Sequence, residues 1–294
     1  MNNNITNRRI TPYLYLAPIL ILSGLFIYYC IGFTVVTSFT DWDGIGKDMK
    51  FVGLTNYINL FKDKSFHISL TNNLLFFMGT VFIQAALGLL IAVLLKFKLP
   101  GSNLYKSIFF LPIAMAPTII AAIFRIILDP NLGSINTALR AIGLGSLAKP
   151  WLGDARYALI AIIMVNIFQW MGFSMMTYYA GLLSIPDDIY EAANIDGAGF
   201  FHTLFKITIP LLKSTTSVLI VLGIVGSLKT FDIVMLLTRG GPGRSTEFLN
   251  TFLYKKAITE FKGGYSAAIG VMILIIALIL SMLQLKLSQE KEEI

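Results

Sequence analysis

The chain has 294 residues, of which 56% are hydrophobic and 13% charged, and its mean hydropathy is +0.74. Soluble domains contain about 45–50% apolar and about 25% charged residues, so this composition argues against a soluble protein. The net charge of +7 argues for no nucleic-acid partner, because the lysines and arginines lie in short clusters between apolar runs and form no basic face. A protein embedded in membrane lipid is expected.

Six windows are apolar and about 20 or more residues long, the length that a helix needs to cross a bilayer. They lie at about 11–38, 70–95, 104–128, 157–183, 215–237 and 265–285. We therefore expect an all-α integral membrane protein in which residues 1–294 form a single domain of six transmembrane helices. Pro112 and Pro117 predict a kink in the third window.

The first window is too long for the apolar core of a signal peptide, which has about 7–15 residues. It is followed by SFTDWDG, which does not resemble a small-residue cleavage site. An uncleaved first span is therefore expected.

The distribution of positive charge predicts the orientation only locally. Over all loops, Lys and Arg are about equally frequent on the two sides. However, Arg8 and Arg9 precede the first span, Asp41 and Asp43 follow it, and the short loop KFKLPGSNLYK carries lysines but no acid. Short loops weigh most in the positive-inside rule, so both termini are expected in the cytoplasm.

Residues 184–214 interrupt the apolar pattern between the fourth and fifth windows with SIPDDIYEAANIDG and a second short segment. Ser184 and Asp187 have the spacing of a capping box, which predicts the start of a helix. Gly197 predicts the end of that helix, and Pro210 predicts the end of a second one.

The residue types of the first short helix allow two interpretations. Ala192 and Ala193 are small enough for another surface to approach closely, and Glu191 beside them can pair with a cation or a helix N-terminus on that surface. The alternative is an amphipathic connector that lies on the membrane. The residues alone leave both open.

Polar and small residues inside the fourth and fifth windows predict a path for a solute, because polar groups within spans are costly and tend to mark pathways. Amides bond hydroxyl groups, and aromatic rings stack on the apolar face of a sugar. The candidate solute-binding residues are Asn166, Gln169, Trp170 and Phe173 in the fourth window and Gly223, Gly226, Ser227 and Thr230 in the fifth. The alternative is packing between spans, in which Gly, Ser and Thr are common.

Lys229 and Asp232 lie three residues apart in the fifth window. They can pair with each other on one helix face, lie near the headgroups at the outer end of the span, or bind a charged solute. The sequence does not decide among these three interpretations.

The segment YEAANIDGAGFFHTLFKITIPLL resembles the EAA loop of binding-protein-dependent ABC importer permeases, in which EAA is followed by three residues, G, nine residues and I-x-L-P. Ile209 replaces the usual Leu of this pattern. Further segments resemble the carbohydrate branch of the family, and most closely the subunit related to the larger maltose-importer permease. They are PYLYLAPILI, SFTDWDG, FVGLTNYINLF, FFLPIAMAPTI, DPNLGSINTAL and LLTRGGPGRSTEFLNTFLYKKA.

This resemblance implies a type I ABC importer permease fold, with a cytoplasmic coupling helix that docks on an ATPase subunit. The residues expected to couple the chain to the ATPase are Glu191, Ala192, Ala193, Asp196, Gly197, Ile207 and Pro210. The implied location is the cytoplasmic membrane of a bacterium or archaeon.

The partners that the resemblance implies are a second homologous permease, two ABC ATPases and an extracellular or periplasmic solute-binding protein. The implied substrate is a sugar or oligosaccharide. Importers of glycerol phosphate share the family, so a non-sugar solute stays open.

The chain contains no GxxxxGK[ST] motif, so ATP and Mg are expected on the partner ATPases, and this chain is expected to be neither an enzyme nor a cofactor- or metal-binding protein. An ion-coupled secondary carrier would predict internal repeats, and none is visible. An intramembrane enzyme would need a convergent nucleophile, base or metal ligands, whereas Cys30, His67 and His202 lie far apart in the sequence.

Overall fold

A computed structural model describes residues 13, 15–96 and 101–289. These residues are largely helical, and among them the only β-type pairing is an isolated bridge between Thr40 and Phe51, which confirms the all-α prediction. The helices are α1 (Tyr15–Thr37), α2 (Thr55–Lys62), α3 (Lys64–Lys96), α4 (Ser102–Ala114), α5 (Pro117–Ile127), α6 (Ser134–Ala141), α7 (Ala155–Leu183), α8 (Asp187–Ile195), α9 (Phe200–Leu211), α10 (Lys213–Lys229), α11 (Asp232–Leu237), α12 (Leu249–Tyr254) and α13 (Gly263–Gln289).

Four of these helices, α1, α3, α7 and α13, are individually long and apolar enough to cross a membrane. Two bent pairs also qualify: α4 and α5 meet at 98°, and α9 and α10 meet at 64°. If each bent pair is one span, the total is six, at the positions of the six predicted windows. The count of six stays a prediction.

The third window is broken, whereas the sequence predicted only a kink. Pro112 lies inside α4, which ends at Ala114, and Pro117 is the first residue of α5. The residue before a proline is biased towards extended backbone, and Ala116 has a ψ of 140°. Proline is well suited to the first position of a helix, because the N–H group that it lacks would have no partner within the helix there. Pro117 therefore starts a new helix, and the extended backbone at Ala116 turns this helix in a new direction.

The fifth window is also interrupted: the prediction of one helix over 215–237 is wrong, because α10 ends and α11 begins within it. The end of a helix leaves backbone carbonyls without partners. Here Asn73 Nδ2 donates to the carbonyl oxygen of Ser227 at 3.0 Å, and Asn250 Nδ2 donates to that of Leu228 at 2.8 Å. Side chains from α3 and α12 thus stabilise the end of α10.

The described residues form two compact units. The first comprises the described residues up to 63 together with residues 253–274. Within it, Asn56 Nδ2 donates to the carbonyl oxygens of Ser38 and Thr40 at 2.9 and 2.8 Å, and the Tyr265 hydroxyl donates to Asp63 at 3.0 Å. The single transmembrane domain stays a prediction.

The second unit comprises the described residues of 64–252 and 275–289, and the packing of α3 against α7 forms much of its core. Gly88 permits this packing, because a Cβ atom there would lie 2.7 Å from the Cβ of Ser174 and 2.8 Å from the backbone nitrogen of Met175. Small residues let helix backbones approach closely in membranes. At Gly88 the two helices therefore lie too close together for any side chain larger than that of glycine.

Candidate solute cavity and coupling segment

A cavity of about 430 Å³ lies in the second unit between α3, α7 and α10. Its volume is within the range of about 300–1,000 Å³ that small-molecule sites occupy. The structure brings all the candidate solute-binding residues to its lining, namely Asn166, Gln169, Trp170, Phe173, Gly223, Gly226, Ser227 and Thr230. The eight residues therefore line one cavity, while their contact with a solute stays a prediction.

Two amide side chains of α7 line the cavity and also bond to neighbouring elements. Asn166 Oδ1 accepts a hydrogen bond from Gln84 Nε2 of α3 at 2.9 Å. Gln169 is only 2% exposed, and its Nε2 donates at 3.4 Å to the carbonyl oxygen of Met115, at the break between α4 and α5. Both amides therefore help to hold the cavity wall as well as forming part of it.

The aromatic part of the same wall consists of Trp170 and Phe173. The Trp170 side chain is 40% exposed, and its ring meets that of Phe173 edge-on, with 6.5 Å between the ring centres. An exposed indole face beside amide groups offers both stacking and hydrogen bonding, the two interactions that a sugar ring uses.

The small residues of α10 divide between the two roles that the sequence left open. A Cβ atom at Gly223 would clash with the side chain of Val81, so this glycine serves helix packing. A Cβ atom at Gly226 would meet nothing within 4 Å, so this glycine leaves room. The hydroxyls of Ser227 and of Thr230, the residue after α10, donate to carbonyl oxygens of α10 at 2.9 and 3.0 Å, which leaves their oxygen lone pairs to accept hydrogen bonds.

Lys229 and Asp232 both line the cavity, and both are exposed. Lys229 is the last residue of α10 and Asp232 is the first of α11, so the helix that would pair them at i, i+3 ends between them. In the described structure no ion pair within 4.0 Å joins them. Each charge also suits the dipole of its own helix end.

Sequence reasoning missed the contribution of α3, from which Phe76, Thr80, Val81 and Gln84 line the same cavity. Gln84 carried a usable signal, because it is a polar residue in the middle of the second window. Phe76 and Val81 carried none, because an apolar residue in a span is equally suited to lipid, core or cavity.

The segment 184–214 contains the two predicted short helices, α8 and α9. The predicted capping box at Ser184 and Asp187 is wrong. Ser184 is the C-cap residue of α7, and its hydroxyl donates to the carbonyl oxygen of Gly181 at 2.7 Å. The residue before α8 is Pro186, which has no side chain that can cap a helix. The predicted stop is confirmed, since Gly197 has a φ of +76° directly after α8.

The surface of α8 and α9 is the candidate coupling surface. Glu191, Ala192, Asp196 and Gly197 are exposed on it, whereas Ala193 is only 5% exposed and packs inward. Of the other predicted coupling residues, Ile207 is half-buried and Pro210 is exposed. Pro210 does not end its helix, because α9 continues to Leu211.

Two apolar side chains beside this surface were not predicted to take part in coupling. Ile195, at the end of α8, is 87% exposed, and Phe201, in the first turn of α9, is 71% exposed. Large apolar side chains that are exposed are typical of protein interfaces.

Residues 84–292 match the profile of the family described as "Binding-protein-dependent transport system inner membrane component". The chain is 39% identical to the probable ABC transporter permease protein YurN of Bacillus subtilis over 98% of this chain and 99% of that protein. It is 33% identical to the multiple sugar-binding transport system permease protein MsmF of Streptococcus mutans, over 93% of each chain.

The fold is also found in a solved structure, the bacterial alginate ABC transporter in complex with an alginate pentasaccharide-bound periplasmic protein. One chain of that transporter superposes with a TM-score of 0.83 and 22% identity, over 99% of this chain and 98% of the other. The likeness shows that the chain has the fold of an ABC importer permease.

Proposed function

This chain belongs to the binding-protein-dependent transport system inner membrane components, as an ABC transporter permease, and we propose that its cavity carries a sugar or oligosaccharide. The observation that carries the proposal is the wall on which the amides of Asn166 and Gln169 lie next to the exposed indole of Trp170. The relative from Streptococcus is described as a multiple sugar-binding transport system permease, which agrees with this chemistry.

The charges of the cavity favour a sugar over the alternative solute, a glycerol phosphate. Among the residues that the structure describes, Lys229 is the one cation on the lining, and Asp232 is on the same lining. A phosphate dianion would gain from the first and be repelled by the second. Hydroxyl groups can bond to both, as donors to the carboxylate and acceptors from the ammonium.

The partners proposed for this chain are a second, homologous permease that completes the path, two ABC ATPases that bind ATP and Mg, and a solute-binding protein outside the membrane. The candidate coupling surface on α8 and α9 is proposed to dock on one ATPase, with Glu191 and Ala192 at its centre and Ile195 and Phe201 beside them. With this surface and the ATPases on the cytoplasmic side, both termini are proposed to lie in the cytoplasm as well. The chain itself is proposed to bind no cofactor and to catalyse no reaction.

The experiment that tests the sugar is uptake into proteoliposomes that contain the permease, its partner permease, the ATPases and the binding protein. Malto-, xylo- and arabino-trisaccharides are compared with glycerol 3-phosphate, each with ATP inside. The proposal predicts ATP-dependent uptake of at least one trisaccharide and none of glycerol 3-phosphate. Uptake of glycerol 3-phosphate alone would replace the sugar by the phosphorylated solute.

A further inference from the structure

Lys96, the last residue of α3, lies against α8, the helix that carries the EAA motif. Its Nζ atom lies 3.7 Å from the centre of the Tyr190 ring and 3.9 Å from Oδ1 of Asp187. This nitrogen is buried and, within the described part of the chain, has no hydrogen-bond partner. A buried ammonium is costly unless an aromatic face or an opposite charge compensates it, and both compensating groups here belong to α8.

The same helix that ends at Lys96 also forms part of the solute cavity. Gln84 lies twelve residues before Lys96 on α3, which corresponds to about 18 Å along the helix axis. The close packing at Gly88 lies between these two positions and joins α3 to α7. A displacement applied at Lys96 would therefore reach the cavity wall through one continuous helix.

We propose that Lys96 is a positioning residue that fastens α8 to α3, so that a movement of α8 moves the cavity wall. The proposal rests on the proposed function, in which an ATPase displaces α8. The chain already connects α8 to α7 through residues 184–186. The contact of Lys96 with Tyr190 gives α8 a second connection, made by side chains, to α3, the helix that packs against α7.

A second lysine–tyrosine contact in the same unit supplies a matched control. Lys106 of α4 lies with its Nζ 3.9 Å from the centre of the Tyr179 ring of α7. The chemistry and the distance are nearly the same, but neither residue belongs to α8. A general loss of stability from removing such a contact should therefore appear in Lys106→Met, and a loss of coupling should not.

The first test uses the complete importer in liposomes and compares Lys96→Met, Tyr190→Leu, the double variant, Tyr190→Phe and Lys106→Met. The readout is the amount of trisaccharide taken up per ATP hydrolysed, with the malto-, xylo- or arabino-trisaccharide that the wild type transports. Lys96→Met and Tyr190→Leu should each lower this ratio by roughly fivefold or more while ATP hydrolysis continues. The double variant should be no worse than either single variant, because one contact is removed only once.

Tyr190→Phe keeps the ring and should transport at nearly the wild-type ratio, as should Lys106→Met. An unchanged ratio in Lys96→Met, or an equal loss in Lys106→Met, would overturn the proposal. If the wild-type importer takes up none of the sugars, the proposed substrate fails, and the next measurement still decides about Lys96.

The second test needs no substrate and follows amide hydrogen exchange of residues 187–195 in the assembled complex. If Lys96 fastens α8, Lys96→Met should raise exchange in this helix several-fold, and Lys106→Met should leave it unchanged. Equal exchange in Lys96→Met and the wild type would show that α8 is not held by this contact.

Discussion

Gln84 of α3 donates a hydrogen bond from Nε2 to Oδ1 of Asn166 of α7 at 2.9 Å, on the lining of the solute cavity. Two polar side chains, each flanked by apolar residues in the sequence, thus form a hydrogen bond with each other inside a membrane protein. The pair joins the two helices of the core at the level of the cavity, and it leaves the other polar atoms of both amides available to a solute.

Replacing Asn166 by Ala should therefore impair transport more than stability. The Gln84 amide loses its side-chain partner but keeps the backbone carbonyl oxygen of position 166, at 3.3 Å, as an acceptor, so the loss of stability should be small. The solute, in contrast, loses a group that bonds hydroxyls. We expect sugar uptake to fall roughly tenfold, a change equivalent to about 1.4 kcal/mol. The measurement is initial uptake at several sugar concentrations. Asn166→Asp is a useful comparison, since it keeps the acceptor oxygen, and a normal rate in Asn166→Ala would remove this residue from the site.

Two glycines allow a comparison of a tightly packed position, Gly88, with an open position, Gly226. Gly88→Ala should destabilise the permease by about 1–3 kcal/mol, because its new methyl group meets Ser174 and the backbone at Met175. Gly226→Ala should not destabilise it, because the methyl group meets nothing within 4 Å. Thermal unfolding of the purified complex in detergent measures both, and equal melting temperatures for the two variants would contradict the packing described for α3 and α7.

The roles of the charged side chains of Lys229 and Asp232 can be determined by measuring the affinity for sugar and the thermal stability of the permease separately. If they contact the solute, Asp232→Asn and Lys229→Met should each raise the sugar concentration for half-maximal uptake about tenfold, the loss expected for a hydrogen bond to a charged group. If they serve only the ends of α10 and α11, the melting temperature should fall while this concentration stays constant. Uptake curves and thermal unfolding on the same preparations distinguish the two.

The candidate coupling surface is tested by the double variant Glu191→Lys and Gly197→Asp. The first change reverses a charge on an exposed face of α8, and the second places a side chain at a φ of +76° that favours glycine. We expect normal amounts of permease in the membrane and little or no uptake. The comparison variant is Asp188→Asn, which alters an exposed acid of the same helix outside the EAA motif. Normal uptake by the double variant would contradict the coupling role.

Hydropathy predicted the six apolar windows because the apolar character of a span is a local property of the sequence. The helical spacing of Asn166, Gln169 and Phe173 predicted a shared wall for the same reason. The end of α10 was missed because the groups that satisfy its carbonyls, Asn73 and Asn250, come from distant parts of the chain.

Tertiary arrangement also explains the remaining differences. Ser184 has the right spacing for a capping box, but it lies at the end of α7, where its hydroxyl bonds to Gly181. The contact of Lys96 with Tyr190 joins residues that are 94 positions apart in the sequence, so no local sequence pattern predicts it. In the sequence, Lys96 served only as a topology signal.

The sugar substrate and the coupling role of α8 are tested together by ATP hydrolysis of the complete importer in liposomes, with and without binding protein loaded with each trisaccharide. We expect at least one loaded binding protein to stimulate hydrolysis several-fold, and we expect this stimulation to depend on this permease. Hydrolysis that stays flat across the panel would contradict the sugar substrate. Failure of the permease to associate with any ABC ATPase would contradict the coupling role of α8.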